Sequence, residues 1–387
     1  MRRVLPVIVI SQFFCTSVWF AGNAIMPDIV KQFHLAPAYL AHLTSAVQGG
    51  FITGTLVFAI LSLADRFSPS KLFFVCSLIA ACCNLAVIEA DNSLQLVLCR
   101  FLTGFFLAGI YPVGMKIAAD YYEKGLGKSL GFLVGALVLG TAFPHLLKSF
   151  ATGWPWKYVV MTTSALSLAG GFAILLFIPD GPHRKPGQQP SWLSFLQGFR
   201  DKKFRAASLG YFGHMWELYT FWAFVPAILT TYNNYYPAAA INVPLLSFFI
   251  IASGSIACVI SGLISQRWGI KRTATIALFI SCACCLLSPL ILLNQSLLLL
   301  IIFLFIWGMS VIADSPLFST LVAQNAPAAS KGAAMTIVIS IGFAITIVSI
   351  QLLNAIINEH NARYIYTLLA IGPVLGLFAL SRDKTAA

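Results

Sequence analysis

The sequence predicts an all-α integral membrane protein whose twelve transmembrane helices form two pseudo-symmetric six-helix bundles. Three observations carry this expectation. Apolar residues make up 59% of the 387 positions and only 9% are Asp, Glu, Lys or Arg, against about 25% charged residues in soluble domains. Too little polar side chain is left to cover a water-facing surface. Apolar runs such as SLLLLIIFLFIWG (residues 296–308) show no alternation, which argues against a β-barrel and leaves helices of about 20 residues as the spanning unit. The halves also repeat: Gly104 and Pro112, eight apart on the fourth predicted span, are matched at the same spacing by Gly308 and Pro316 on the tenth, as in carriers built from parallel repeats.

The first predicted span, 5–26, follows the basic start MRR; no small-x-small site closes its apolar run, so it is expected to persist as an uncleaved helix. Spans 43–64, 72–90, 94–117, 127–150 and 157–178 complete the first half, and the three-residue break at 91–93 implies a tight antiparallel hairpin. Residues 179–203 (PDGPHRKPGQQPSWLSFLQGFRDKK) are a long, basic cytoplasmic linker in which SWLSFLQGF is expected as a short helix on the membrane surface. The second half holds 204–230, 243–265, 273–293, 296–322, 332–354 and 363–380. The expected organisation is therefore a bundle at 1–178, a linker at 179–203 and a bundle at 204–387.

With the N-terminus inside, nineteen Lys and Arg residues fall on the cytoplasmic side and four opposite, while Arg100 lies within a span. The positive-inside bias thus places both termini in the cytoplasm. It also explains the net charge of +12 without a nucleic-acid partner. All nine cysteines lie in apolar segments without metal-ligand spacing and read as small packing residues, not as disulfides or ligands. No P-loop is present, which argues against ATP drive. No cofactor and no metal are expected.

The breaks after spans 2 and 8 align with each other: Arg66 pairs with Arg267, Phe67 with Trp268 and Lys71 with Arg272. These loops resemble the major facilitator superfamily (MFS) signature G-x-x-x-D-[RK]-x-G-x-[RK]-[RK]. The second copy matches at Gly262, Arg267, Gly269, Lys271 and Arg272, with Gln266 in the Asp position. The first keeps Asp65, Arg66 and Lys71 but has Leu61 and Ser68 for the glycines and Ser70 for a basic residue. Arg100 with Gly104 is similar to the family's R-x-x-x-G pattern on span 4. The resemblance implies that spans 1, 4, 7 and 10 line a central cavity. It further implies a cytoplasmic gate at Asp65, Arg66, Lys71, Gln266, Arg267, Gly269, Lys271 and Arg272, in which a carboxylate meets the positive N-terminus of a neighbouring helix.

The ionisable residues buried within apolar runs fall on those same spans: Arg100 on span 4, Glu217 on span 7 and Asp314 on span 10. A charge near the bilayer centre costs at least roughly 2.5–3.5 kcal/mol, so it persists where it faces protein or a water-filled path. Glu217 is the first candidate for a proton site, with His214 three residues earlier placed to relay or share the proton and Asp314 as a second site or a cap for a helix broken at Pro316. The alternative for Glu217 is a permanent pairing that only holds helices together. Arg100 cannot deprotonate and would attract an anion, or else pair with backbone carbonyls. Asn23, Trp19, Tyr111, Trp216 and Tyr219 are the further candidates for substrate contact, the last two forming an apolar wall with Trp222. Lys116, near the inner end of span 4, reads as a snorkelling side chain.

These readings converge on a secondary active transporter, not an enzyme, that moves a small organic solute, an organic anion being favoured, by proton-coupled alternating access across the inner or plasma membrane. Its expected partners are the small-molecule substrate, protons and the lipid bilayer, with the monomer as the working unit. Three alternatives stay open: an exporter of drug-like compounds by proton antiport, a sensor that moves no solute, and an integral membrane transferase.

Overall fold

The computed structural model describes residues 4–35, 39–122, 126–150, 155–184, 199–327 and 331–382. Helices account for all of the regular structure among them, with no strand. The chain divides into two compact units, 1–189 and 190–387. The surface helix expected at 191–199 lies, apart from Phe199, outside the described residues.

In the first unit α1 (Val4–Thr16), α2 (Ala21–Ala24) and α3 (Met26–Gln32) replace the single helix expected over 5–26. They are followed by α4 (Tyr39–Ile60), α5 (Leu63–Arg66), α6 (Pro69–Leu85), α7 (Ser93–Leu107), α8 (Tyr111–Tyr121), α9 (Leu126–Phe150) and α10 (Lys157–Phe177). In the second unit come α11 (Lys202–Tyr235), α12 (Val243–Trp268), α13 (Ile270–Leu292), α14 (Leu297–Ala313), α15 (Ser315–Asn325), α16 (Lys331–Ile356) and α17 (Ile371–Arg382), the last preceded by a 3-10 turn at Ile365–Ala370. Polar caps start several of these helices. The side chains of Asn92, Asp201 and Asn242 accept from the backbone N–H of Gln95, Phe204 and Leu245 at 3.0, 2.8 and 3.1 Å, satisfying donors that a helix end leaves open.

Ten helical stretches among the described residues are long and apolar enough to cross a bilayer. Of the twelve predicted spans, the first and the seventh are not in that set. The first stops at Thr16, leaving an apolar helix of only 13 residues. The seventh, α11, runs for 34 residues, but its sequence GYFGHMWELYT carries too many polar groups to read as lipid-facing. Large apolar side chains such as Leu94, Phe150, Leu176, Phe279 and Leu298 stand exposed on the outer faces of the apolar helices. Such a surface suits lipid and not water.

Each unit repeats the same packing device. In the first, α7 lies against α4 so closely that a Cβ on Gly104 would overlap the Val47 carbonyl oxygen. In the second, α14 packs on α12 and a Cβ on Gly308 would stand 2.5 Å from the Ile250 carbonyl oxygen. The helices of spans 4 and 10 both break after these glycines, and Pro112 and Pro316 sit in the first turn of the new helices α8 and α15, where the missing N–H costs nothing. The two loop copies differ. Gly269 turns α12 directly into α13 at φ +85°, whereas the first copy places its left-handed residue earlier, at Ser62 with φ 50°. It then passes through α5 before Ser68 caps α6.

Candidate functional site

The second unit gathers three ionisable side chains, His214 and Glu217 on one face of α11 and Asp314 reaching that helix from the junction of α14 and α15. His214, Glu217 and Phe221 follow at intervals of three and four, which aligns them along one stripe of a helix. Glu217 is 1% exposed and is held by three donors. Trp307 Nε1 and Cys285 Sγ donate to Oε1 at 2.6 and 3.2 Å, and Ser281 Oγ donates to Oε2 at 2.9 Å. Ser281 and Cys285 are one turn apart on α13; Trp307 comes from α14 and stacks on Phe221 at 4.5 Å between centroids. The Ser281 hydroxyl has a second acceptor within reach, the Leu278 carbonyl at 3.1 Å. Its single hydrogen serves a Glu217 carboxylate or, when Glu217 carries a proton and donates, swings to the backbone. The nest therefore accommodates both forms of the carboxyl group.

His214 pairs with Asp314 and not with Glu217. Its Nδ1 lies 2.8 Å from Asp314 Oδ1, and the two side chains are 1% and 0% exposed. Asp314 occupies the junction at which α14 ends and α15 begins, yet its side chain makes no capping hydrogen bond there. The carboxyl group is turned across to α11 instead. His214, expected to relay or share a proton with Glu217, makes its close contact with Asp314, while Glu217 one turn away is held by Trp307, Cys285 and Ser281.

The aromatic wall divides. Trp216 Nε1 donates to the Leu368 carbonyl at 3.1 Å, while Tyr219 packs on Trp222 and Phe343 at 5.3 and 5.1 Å. Three-residue spacing drifts backward around a helix of 3.6 residues per turn, so Trp216 and Trp222 end up about 120° apart. They do not share a face.

In the first unit Arg100 is 2% exposed and its donors are directed inward. Nη1 donates to Asn84 Oδ1 at 2.9 Å, and Nη2 to the carbonyls of Val18 and Trp19 at 3.0 and 2.5 Å. Those carbonyls lie just past the end of α1, so the guanidinium serves the backbone groups that the interrupted first span leaves open. Gly22 makes room for it: a Cβ there would stand 3.2 Å from Nε. Asn84, a lone amide in the run LIAACCNLAV, is the member missed in the sequence. Its Nδ2 donates to Thr163 Oγ1 at 3.1 Å and Ser164 Oγ at 2.9 Å, tying α6 to α10. Replacing Asn84 with Leu is expected to lower stability by about 1.5–3 kcal/mol, the worth of hydrogen bonds to a charged group, read as a drop in unfolding temperature of the purified protein. Close by, Asn23 donates to Thr44 Oγ1 at 2.9 Å and Trp19 packs on Phe51 at 4.9 Å. Tyr111, at the start of α8, is half-buried.

Of the expected gate residues, Asp65 is drawn into a charge network within the first unit. Lys116 Nζ reaches Asp65 Oδ1 at 2.8 Å and Asp120 Oδ1 at 4.0 Å, so Lys116 pairs and does not simply snorkel. Arg184 donates to the carbonyls of Asp65 and Phe67 and to Asp180, whose other oxygen accepts from Ser68 Oγ at 2.6 Å. Arg66, Lys71, Gln266, Arg267, Gly269 and Arg272 are exposed, and Lys271 is half-buried. The nine cysteines are free thiols; Cys285 does more than pack, since it donates to Glu217. No cluster of His, Cys, Asp or Glu suited to a metal ion occurs among the described residues.

Comparison with known proteins agrees with this architecture. The sequence profile of the Major Facilitator Superfamily matches residues 8–350. The nitrate/nitrite transporter NrtP of Nostoc punctiforme is 27% identical over 217 residues, 53% of this chain and 43% of that protein. Efflux pump FUBT of Fusarium oxysporum is 24% identical over 180 residues, 45% of this chain and 30% of the pump. The chain thus spans less than half the length of these relatives. Among solved structures, the human organic anion transporter MFSD10 (TETRAN) superposes with a TM-score of 0.76 at 14% identity, covering 98% of this chain and 99% of that one, a likeness of fold.

Proposed function

The chain belongs to the Major Facilitator Superfamily, and on that premise we propose that it is a secondary active transporter of a small organic solute, driven by protons through alternating access. It is a multi-pass membrane protein of a non-enzyme class. The observation that carries the proton reading is the wholly buried His214–Asp314 pair at 2.8 Å, set one turn from Glu217 in its switchable nest. An imidazole and a carboxyl group at this distance share one proton between them, and neither form leaves a bare charge. Glu217, His214 and Asp314 are the proton-coupling residues of this reading. The experiment is solute uptake into proteoliposomes under an imposed pH gradient, over a panel of organic anions, cations and neutral solutes. Uptake that ignores the gradient for every transported solute would sink proton coupling.

The preference for an organic anion rested on Arg100. With its donors directed at Asn84 and backbone carbonyls, the role we assign to Arg100 is to hold the first span's break, and the solute's charge is read from the panel. Tyr111, half-buried, leads the substrate candidates, followed by Trp19, Asn23, Trp216 and Tyr219. A second reading, export by proton antiport, draws on the likeness to an efflux pump.

The gate reading centres on Asp65. Two six-helix bundles, 1–178 and 204–387, joined by a cytoplasmic linker at 179–203, would alternate in the inner or plasma membrane with both termini in the cytoplasm. Asp65→Asn removes the charge that holds Lys116 at 2.8 Å. The variant is expected to shift the balance between inward- and outward-open forms, measured by cysteine accessibility from either face. An unchanged balance and unchanged transport would remove the latch.

A further inference from the structure

We infer that a groove on the outer face of the second unit, between α11, α16 and α17, is a binding site for an anionic phospholipid. The groove encloses about 850 Å³ and its wall is continuous with the exposed apolar surface. Leu209 on α11, Val348 on α16 and Leu375 and Phe378 on α17 line it, and all four stand exposed. Its floor is set by a close crossing of α11 and α17: a Cβ on Gly213 would overlap the Gly372 carbonyl oxygen. Trp216 closes the same end through its bond to Leu368.

The opposite end is cationic. Lys202 and Arg205, three apart at the start of α11, and Arg382 at the end of α17 all border the groove. Among the described residues no carboxylate forms an ion pair with any of the three, although other basic residues of the chain are paired. The adjacent Asp201 is engaged as the α11 cap, accepting from Phe204 N at 2.8 Å. Arg382 is laid over the Phe378 ring with Cζ 4.1 Å from its centroid, which holds the guanidinium above the apolar wall. From Arg205 to Trp216 the helix rises about 16 Å, long enough to receive much of an acyl chain beneath a bound headgroup.

These features select the ligand class. A soluble anion would use the cations but leave the apolar wall bare. A neutral lipid would cover the wall and leave three positive charges at the headgroup level without a counter-charge, since Arg205 has only the Phe199 carbonyl at 3.5 Å and Arg382 only the Phe378 ring. A phosphate-bearing lipid with a net negative charge satisfies both, and each basic group near such a headgroup adds to the attraction. The inference requires only that the chain spans a membrane, and it stands apart from the proton reading.

The test uses the purified full chain in detergent. Phosphatidylglycerol, phosphatidylcholine and inorganic phosphate are each titrated while the unfolding temperature and bound lipid, by native mass spectrometry, are followed. Phosphatidylglycerol is expected to bind and raise the unfolding temperature, and the other two to do neither. The triple variant Lys202→Gln, Arg205→Gln, Arg382→Gln is expected to keep its lipid-free unfolding temperature and to bind phosphatidylglycerol about a hundredfold more weakly. Leu375→Trp, which fills the groove and keeps the cations, is expected to lose the bound lipid as well. Equal binding of phosphatidylcholine, an equal effect of phosphate alone, or full lipid binding by either variant would overturn the assignment. So would a lipid-free dimer that the Leu375→Trp variant dissociates, which would make the groove a contact between copies of the chain.

Discussion

Glu217→Gln is expected to reduce gradient-driven uptake to the level seen without an imposed gradient, while the protein folds and still binds solute. The nest explains why the two effects separate. The remaining carbonyl oxygen of Gln can accept from Trp307 Nε1 and Cys285 Sγ, as Oε1 does now. The new amide can donate to Ser281 Oγ, whose hydrogen then turns to the Leu278 carbonyl. Each of the three surrounding side chains keeps a partner, so the stability change is expected to stay within about 1–2 kcal/mol, the difference between charge-assisted and neutral hydrogen bonds. What is lost is the ability to exchange a proton. Glu217→Leu is the contrasting variant: Ser281 can still turn to the Leu278 carbonyl, but Trp307 Nε1 and Cys285 Sγ are stranded in a buried site, which costs about 1–3 kcal/mol for each group left unsatisfied. Uptake by the Gln variant that still follows the pH gradient would show that Glu217 only ties α11 to α13 and α14.

Gly104→Ala is expected to be the most destabilising of the single-methyl changes at the paired glycines. An added Cβ would overlap the Val47 carbonyl oxygen and approach its carbonyl carbon and Cα at 2.7 and 2.9 Å. All three are backbone atoms of α4, so no side chain can rotate away and the helix itself must shift. Overpacking of this kind costs about 1–3 kcal/mol and occasionally more. Gly308→Ala is expected to cost less, because one of its two nearest obstacles is the movable Ile250 Cγ2 at 2.9 Å. Gly262→Ala, with nothing within 4 Å of the added atom, is expected to leave stability unchanged or raise it by up to about 1 kcal/mol, the helix-propensity gain. Unfolding temperatures of the three variants in one detergent check the order. A wild-type value for Gly104→Ala would contradict the close approach of α4 and α7.

Much of the architecture was legible because a bilayer imposes a simple rule. A stretch of about 20 apolar residues must satisfy its backbone internally, and a helix does so with no reference to any neighbour. The spans, the hairpin breaks and the repeat of Gly104–Pro112 in Gly308–Pro316 follow from that local rule. The interruption at Pro316 was also signalled. The interruption after Thr16 was not, because the group that meets its freed carbonyls, Arg100, lies more than eighty positions away.

An acid within an apolar run announces itself, so Glu217, Asp314 and Arg100 stood out as buried groups from composition alone. Their partners did not. Ser281, Cys285 and Trp307 lie 64, 68 and 90 residues from Glu217, and the choice among them depends on which faces of α11, α13 and α14 meet. For the same reason His214 was joined to its near neighbour Glu217 when the packing turns it to Asp314, and Lys116 was read as snorkelling when it reaches Asp65. By itself the chain determined that it crosses a membrane on many helices and carries ionisable groups there, since insertion into lipid is decided residue by residue. The tertiary structure alone decided which of those groups pair with each other and which with backbone carbonyls, since hydrogen bonds depend on ångström-scale placement that only the packing of distant helices supplies.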